Sequence, residues 1–256
     1  PNHHPDPTVD KNLTDLIKTV RSEGCDFGIA FDGDGDRIGV VDDKGNVLRC
    51  DILMTLYARG VLEAHPGASI IGDIKCSSVM FEEIERMGGN PVMWKTGHSL
   101  IKDKMRELDA PLAGELSGHI FFADKYYGYD DALYCAIRLI NEVAQSGKKL
   151  SELTQHINNL KSTPEVRFEV DEAEKFDLVP RVFENLKAES GDFEINDIDG
   201  VRVTTPEGWW LLRPSNTQSV LVARAEAKTE AGLKKLTDMA CSQVAKIGYT
   251  LDFTKP

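Results

Sequence analysis

Phe27-Gly28-Ile29-Ala30-Phe31-Asp32-Gly33-Asp34-Gly35-Asp36-Arg37 joins an apolar run to a tight series of acids. The five apolar residues have the length and composition of a buried strand. Asp32, Asp34 and Asp36 follow at i, i+2 and i+4, and Gly33 and Gly35 let the backbone turn sharply enough for three carboxylates to meet. Converging carboxylates repel one another unless a hard dication stands between them, and Mg²⁺ takes carboxylate oxygens together with waters and a substrate phosphate. Arg37 adds a planar fork suited to phosphate oxygens. A solvated Asp-Gly turn is the plainer reading, yet it does not need three alternating acids with an arginine behind them. An EF-hand loop would require Gly at its sixth position and Glu at its twelfth, where this chain has Arg37 and Asp43. The stretch therefore reads as a metal-and-phosphate turn at the carboxyl end of a strand, where ligands of α/β sheets gather.

Upstream, Pro1 to Thr8 is extended, and His3 and His4, being adjacent, point apart and suit surface or packing roles. Leu13, Leu16, Ile17 and Val20 keep helical spacing up to Gly24. Downstream, Ile38 to Asp42 and Asn46 to Arg49 predict a hairpin about Asp43-Lys44-Gly45. From Asp51 helix and strand alternate. Helices are expected at Ile52–Glu63, from Ser77 or Ser78 to Met87, at Ser99–Leu108 and at Asp130–Gln145. Strands are expected at Ala68–Ile74, Pro91–Trp94, Leu112–Gly114 and Ile120–Ala123. Strand, polar loop and helix in this rhythm predict an α/β layer with a mixed or mostly parallel sheet. The polar loops then fall at the strand ends, placing Lys75, His98 and Glu115-Leu116-Ser117-Gly118-His119 in one cleft.

Gly147 to Thr163, ending at Pro164, holds a short helix and a polar connection and is the expected domain boundary. Beyond it lie strands at Glu165–Val170, Phe193–Ile195, Gly200–Thr204, Gly208–Leu212 and Val220–Ala227, with helices at Phe176–Glu189 and Thr229–Lys246. That order predicts a small α+β domain with an antiparallel sheet. Arg213-Pro214-Ser215-Asn216-Thr217 is expected as its polar loop, offering a guanidinium, two hydroxyls, an amide and free backbone N–H groups. A phosphate cradle and an ordinary turn both use such residues.

At 256 residues the chain can bury one or two cores. Its 41% hydrophobic and 28% charged content is that of a globular protein, which excludes a mainly disordered chain. A formal charge of −12 argues against nucleic-acid binding, which uses a basic face. Cys25, Cys50, Cys76, Cys135 and Cys241 are scattered, odd in number and free of Cys-x-x-Cys spacing, so reduced thiols of a cytoplasmic protein are expected. No apolar stretch is long enough to span a bilayer and no signal peptide opens the chain, so no membrane partner is expected. The chain opens on Pro1 within a loop, as a portion of something longer would. Glu115 and Ser117, with Gly118, could bond vicinal sugar hydroxyls or simply occupy an exposed loop. Lys75 could act electrostatically or cap a strand, and His98 and His119 could move protons or pack. Taken together the residues suit a magnesium ion, a phosphate and a polyhydroxylated ligand.

In order and spacing, Asp32 to Arg37, Lys75, Lys95-Thr96-Gly97-His98, Gly114 to His119 and Arg213 to Thr217 resemble the α-D-phosphohexomutases, most closely the bacterial phosphomannomutase/phosphoglucomutase group. The resemblance implies three pieces: residues 1–48 as the end of the second domain with the metal loop, 49–160 as the third domain with the sugar loop, and 161–256 as the C-terminal domain with the phosphate loop. It implies Asp32, Asp34 and Asp36 as Mg²⁺ ligands, and Glu115 and Ser117 on the 3- and 4-hydroxyls of the hexose. Arg213, Ser215, Asn216 and Thr217 would hold the non-reacting phosphate, with Leu116 and Pro214 contributing backbone within their loops. Arg37, Lys75, His98 and His119 would line the reacting end, with Lys75 and His119 the candidates for proton transfer. The family interconverts glucose or mannose 1-phosphate and 6-phosphate through a bound glucose 1,6-bisphosphate-type intermediate. Its phosphoryl group rides on a serine of a Ser-His-Asn-Pro-like loop in the first of four domains, and this chain has no such loop. It is therefore expected to bind phosphosugar weakly without turnover, and to depend on missing N-terminal domains. A phosphoglucosamine mutase, a non-catalytic phosphosugar-binding module and a metal-dependent phosphatase are the alternatives.

Overall fold

The structure is a computed structural model that describes residues 3–157, 160–216 and 218–254. The chain divides into two compact units, Pro1–Asn158 and Asn159–Pro256.

The first unit opens with a 3-10 turn at Asp10–Leu13 that runs into α1 (Thr14–Glu23), closed by Gly24 at φ 66°. β1 (Phe27–Phe31), β2 (Ile38–Asp42) and β3 (Val47–Leu48) form an antiparallel sheet in the order β1-β2-β3. Leu13 and Val20 pack with Val41, Leu16, Ile17 and Ala30 on one face of it, as the 3.6-residue spacing requires. The other face, with Ile38 and Val40 and the flanking Phe27, Ile29 and Phe31, joins the main core. The strand expected to be buried, Phe27–Phe31, is only partly so: Gly28 alone is fully buried, and among the described residues β2 is its only paired neighbour.

Next come α2 (Cys50–Ala64), β4 (Ser69–Asp73), α3 (Ser78–Arg86), β5 (Asn90–Trp94), α4 (His98–Leu108), β6 (Leu112–Gly114), β7 (Ile120–Phe122), α5 (Ala132–Ser146) and α6 (Leu150–Thr154). The sheet runs β5-β4-β6-β7, with β4 parallel to β5 and β6 and β7 antiparallel to β6. Alternation sorts its side chains. Ile70, Leu112 and Phe122 face a core with Leu53, Tyr57, Met80 and Leu139 of α2, α3 and α5. Ile71, Ala113 and Phe121 face Ile101 and Met105 of α4. Covered on both faces, β4 and β6 are apolar along their middles, Ile70-Ile71 and Leu112-Ala113. Tyr57 is buried with its ring edge-on to Phe122, and its hydroxyl donates to the Cys135 carbonyl at 2.9 Å, so no polar atom is stranded there.

The second unit contains β8 (Lys161–Ser162), β9 (Val166–Glu169), α7 (Lys175–Lys187), β10 (Glu194–Asn196), β11 (Val201–Thr205), β12 (Gly208–Pro214), β13 (Val220–Ala227) and α8 (Glu230–Lys246). Its antiparallel sheet runs β10-β11-β12-β13, and both β8 and β9 pair with β13. Leu178, Val182 and Leu186 of α7 and Leu236, Ala240 and Val244 of α8 close on Val203, Trp210, Leu212, Ala223 and Ala225. This is the mixed α/β domain followed by an antiparallel α+β domain that the pattern predicts.

Candidate functional site

The acidic turn is built by its first residue. Asp32 Oδ1 accepts the backbone N–H groups of Gly35, Asp36 and Arg37, each at 3.1 Å, and Gly35 takes φ 78° to close the turn. One ligand oxygen from each of Asp32, Asp34 and Asp36 then lies within 4.8 Å of the others. Burial pushes the Asp32 carboxyl up, but bonds from Asp36 and the Arg37 and Gly35 amides, with the Arg37 charge, bring it below the usual range. Asp36 moves the other way, raised by burial, by its bond with Asp32 and by the neighbouring negative charges, against the pull of His119. Asp36 Oδ1 is buried with no hydrogen-bond partner. A hard dication would satisfy that oxygen and relieve the repulsion, so the residues fit Mg²⁺. A depression of about 390 Å³ opens on the turn, lined by His4, Pro5, Asp6, Asp32, Gly33, Asp34 and Arg37.

The turn is tied directly to the Glu115–His119 loop. Ile38 N–H donates to the Gly118 carbonyl at 3.1 Å, and Arg37 bridges His119 in antiparallel fashion. Gly118 has φ 99°, and a Cβ there would stand 3.0 Å from the Ile38 carbonyl oxygen. Ala132 N–H, from the start of α5, donates to Gly35 at 3.0 Å.

His119 is the hub, and it is 7% exposed. Its Nδ1 lies 3.3 Å from Glu115 Oε2 and 2.9 Å from Ser117 Oγ, and its Nε2 lies 3.3 Å from Asp36 Oδ2 and 3.4 Å from Arg37 Nε. Burial alone would lower the imidazole, but the Glu115 bond and charge, with Asp36, raise it above its ordinary value. Glu115 is lowered: burial opposes, while His119, the Gly97 N–H at 2.5 Å and Lys75 prevail. This is an acid–imidazole pair able to hold a proton between a carboxylate and a guanidinium. Leu116 is half-buried against the core, and Ser117 is half-buried. His98, the first residue of α4, is exposed, with its ring stacked 6.2 Å from His119.

Lys75 is buried past the end of β4, with Nζ 3.7 Å from Asp73 Oδ2. Asp73 also accepts from the Lys75 N–H at 3.1 Å, Cys76 Sγ at 3.2 Å and Thr96 Oγ1 at 3.4 Å. Burial pushes Asp73 up against the pull of Lys75, and Glu115 adds to the rise. Sequence reasoning missed Asp73, although Asp-x-Lys at a strand end is a visible signal. It also missed Asp130, which bonds Lys102 at 3.2 Å, stands 3.9 Å from His98 and lies within 4.8 Å of Asp36 and His119. Nothing local marks that residue.

In the second unit Arg213 and Pro214 are the last residues of β12, not part of a loop, because their pairing with Val222 and Leu221 continues the ladder. The Arg213 guanidinium is 6% exposed and already gripped by Asp199, Nε to Oδ2 at 3.0 Å and Nη2 to Oδ1 at 3.3 Å. Gly200, at φ 102°, permits this approach, since a Cβ there would meet Arg213 Cβ and the Leu212 carbonyl at 2.5 Å. The expected set of free N–H groups shrinks. Pro214 has none, Ser215 N–H donates to Val220 at 3.0 Å, and Gln218 N–H donates to Ser215 Oγ at 3.2 Å. Asn216 is exposed, and Thr217 lies outside the described residues.

Three converging carboxylates beside an arginine, an imidazole and a strand-end lysine suit a divalent cation next to an anionic ligand, the chemistry of metal-dependent phosphoryl-handling proteins. Comparison with known proteins gives the family. The family models "Phosphoglucomutase/phosphomannomutase, alpha/beta/alpha domain II", "alpha/beta/alpha domain III" and "C-terminal domain" match residues 1–45, 49–160 and 165–243. A phosphomannomutase/phosphoglucomutase of Pseudomonas syringae is 46% identical over 252 residues, covering 98% of this chain and 54% of the relative. The crystal structure of a phosphoglucomutase/phosphomannomutase family protein from Burkholderia thailandensis superposes with a TM-score of 0.89 at 42% identity, over 96% of this chain and 52% of that one. At 18% identity, where the likeness shows the fold alone, Aspergillus fumigatus N-acetylphosphoglucosamine mutase in complex with GlcNAc-6P and magnesium superposes with a TM-score of 0.64 over 86% of this chain and 49% of that one. The chain belongs to the phosphoglucomutase/phosphomannomutase family, a family of isomerases acting in carbohydrate metabolism. It spans about half the length of the curated relatives it matches.

Proposed function

We propose that this chain is the C-terminal portion of a mutase that interconverts hexose 1-phosphate and hexose 6-phosphate, of glucose, mannose or both, through a phosphoserine enzyme and a 1,6-bisphosphate. The chain supplies residues 1–48 as the metal-loop end of the second domain, 49–160 as the sugar-binding domain and 161–256 as the phosphate-loop domain, a division supported by the three family matches. The phosphoserine belongs to the N-terminal domains, so this chain alone binds phosphosugar without turning it over. Free cysteines and the absence, among the described residues, of a helix long and apolar enough to cross a membrane support a cytoplasmic setting.

The observation that carries this reading is the direct bonding of the acidic turn to the Glu115–His119 loop through Ile38, Gly118, Arg37 and His119. Asp32, Asp34 and Asp36 would hold Mg²⁺, which when bound supplies positive charge beside a transferring phosphoryl group. Arg37 neutralises phosphate oxygens, His119 and Lys75 are placed to take or give a hydroxyl proton, and His98 lines the same end. Glu115 accepts and Ser117 donates or accepts at the sugar hydroxyls, with Leu116 and Gly118 shaping the loop. Arg213, held in one orientation by Asp199, engages the non-reacting phosphate with Pro214, Ser215, Asn216 and Thr217.

Calorimetric titration with glucose 1-phosphate, glucose 6-phosphate and mannose 1-phosphate tests the reading. Both glucose isomers should bind, and Arg213→Ala should abolish binding. Turnover by this chain alone would contradict the assignment of the phosphoserine to the missing domains. A variant that binds as well as the natural chain would remove Arg213 from the site.

A further inference from the structure

Lysine is among the side chains least often taken out of water, because its ammonium is strongly hydrated. Lys175, the first residue of α7, is nonetheless only 2% exposed. Its Nζ donates to Glu172 Oε1 at 3.0 Å and to the Gln218 carbonyl at 2.9 Å, and stands 4.8 Å from the centre of the Phe176 ring. Glu172 lies three residues back along the chain and its side chain is 60% exposed, so this ion pair does not require a buried lysine. What burial adds is reach. The Gln218 carbonyl lies 43 positions away, just past the Arg213–Thr217 stretch.

Other contacts gather on the same exit. Arg167 Nη1 donates to Gln218 Oε1 at 2.9 Å, Gln218 N–H donates to Ser215 Oγ at 3.2 Å, and Val170 N–H donates to the Ser219 carbonyl at 3.1 Å. The Ser219 side chain and Lys175 hold the Glu172 carboxyl below its ordinary value. The Arg167 side chain, like that of Glu172, is more than half exposed, and water loosens such pairs. Of the side chains brought to the exit by β9 and the start of α7, Lys175 alone is shielded, so solvent competes least with its bond. The entry of the loop is fixed in a similar way, by Asp199 on the buried Arg213. Between these two clamps stand Ser215, which is buried, and Asn216, which is exposed.

We propose that Lys175 is a positioning residue of the phosphate loop: by holding the Gln218 carbonyl it fixes the loop's exit, so that Ser215 and Asn216 stand ordered before a phosphate arrives. A loop ordered beforehand spares the ligand part of the ordering cost, and the saving appears as affinity. In this role Lys175 acts through the backbone of Gln218 without touching the ligand. The inference rests on reading Arg213 to Thr217 as the loop that engages the non-reacting phosphate.

Titration of this chain with glucose 6-phosphate, followed at the amide resonances of Ser215, Asn216 and Val220, tests it. Lys175→Met keeps the length of the side chain and removes the ammonium. It should weaken binding by about tenfold, the worth of one hydrogen bond from a charged group. It should also shift the carbonyl resonance of Gln218 while the amide resonances of β11 and α8 stay in place. Glu172→Gln leaves the lysine on the carbonyl and should bind within about twofold of the natural chain. A lysine serving stability alone would lower the urea midpoint of Lys175→Met and leave the affinity of the folded chain unchanged, which would overturn the proposal. Acetylation of Lys175 in the natural chain needs no variant: by reciprocity, saturating glucose 6-phosphate should slow it about fivefold or more. A rate indifferent to the ligand would also overturn the proposal, and this rate decides alone if Lys175→Met does not fold. Binding that Arg213→Ala abolishes and Lys175→Met leaves intact would sink this inference alone. No saturable shift in the natural chain would sink the reading of the loop and this inference with it.

Discussion

Gly118→Ala probes the joint between the acidic turn and the sugar loop. The residue sits at φ 99°, and the added Cβ would lie 3.0 Å from the Ile38 carbonyl oxygen, 3.3 Å from Arg37 Cβ and 3.4 Å from Ile38 N. Two of these are backbone atoms of β2 and the third is a Cβ held by its own backbone, so they have little room to give. Holding a side chain in so sparsely populated a backbone region costs about 1–3 kcal/mol. Losing the Ile38 N–H bond to the Gly118 carbonyl adds about 1 kcal/mol. The expected loss is therefore about 2–4 kcal/mol, a large part of a domain's usual stability. Gly128→Ala is the control: φ is 77° and nothing lies within 4 Å of its Cβ position, so only the backbone cost of about 1–2 kcal/mol remains. Urea titration followed by the amide resonances of β4 and β6 measures both, with Mg²⁺ binding as the second readout. Gly118→Ala should lose more stability than Gly128→Ala and bind Mg²⁺ more weakly. Equal losses would refute the argument that this contact fixes the turn.

Asp34→Asn removes one of three like charges, so the metal-free chain should hold or raise its melting temperature. The stabilisation of about 2.7 kcal/mol expected at Mg²⁺ one hundred times Kd should shrink sharply, and an undiminished thermal shift would exclude Asp34 as a ligand. Asp43 accepts Ser151 N–H at 2.9 Å and its hydroxyl at 3.1 Å, tying the β2–β3 turn to α6. Burial pushes its carboxyl up, but these bonds hold it below the ordinary 3.8. Its contribution is then present above that value and lost as pH falls through the lowered one, so the stability gap between the natural chain and Asp43→Asn should narrow below about pH 4. A gap constant from about pH 5 to about pH 2.5 would contradict this. Asp73→Asn leaves the buried Lys75 without its carboxylate and should cost about 3 kcal/mol, read from the same urea titration. A loss within error of zero would show that Asp73 does not hold Lys75.

Much of this protein was legible in the order of its residues. Gly24 and Gly147 close α1 and α5 in the left-handed conformation, and Ser77 and Thr229 cap α3 and α8 by accepting backbone N–H groups. Such signals act within four residues, so they can be read locally. The alternation of Asp32, Asp34 and Asp36 with glycine likewise announces a convergence of carboxylates before any folding is known. What remained hidden depends on chain closure. Arg37 meets His119 across 82 positions, Lys102 meets Asp130 across 28, and Arg213 meets Asp199 across 14. No spacing rule links such pairs, because their distances are set by which strands become neighbours. The same holds for the partial burial of β1 and the last residues of β12: an apolar pentapeptide looks the same whatever pairs with it, and only the neighbouring strands decide how far it is buried.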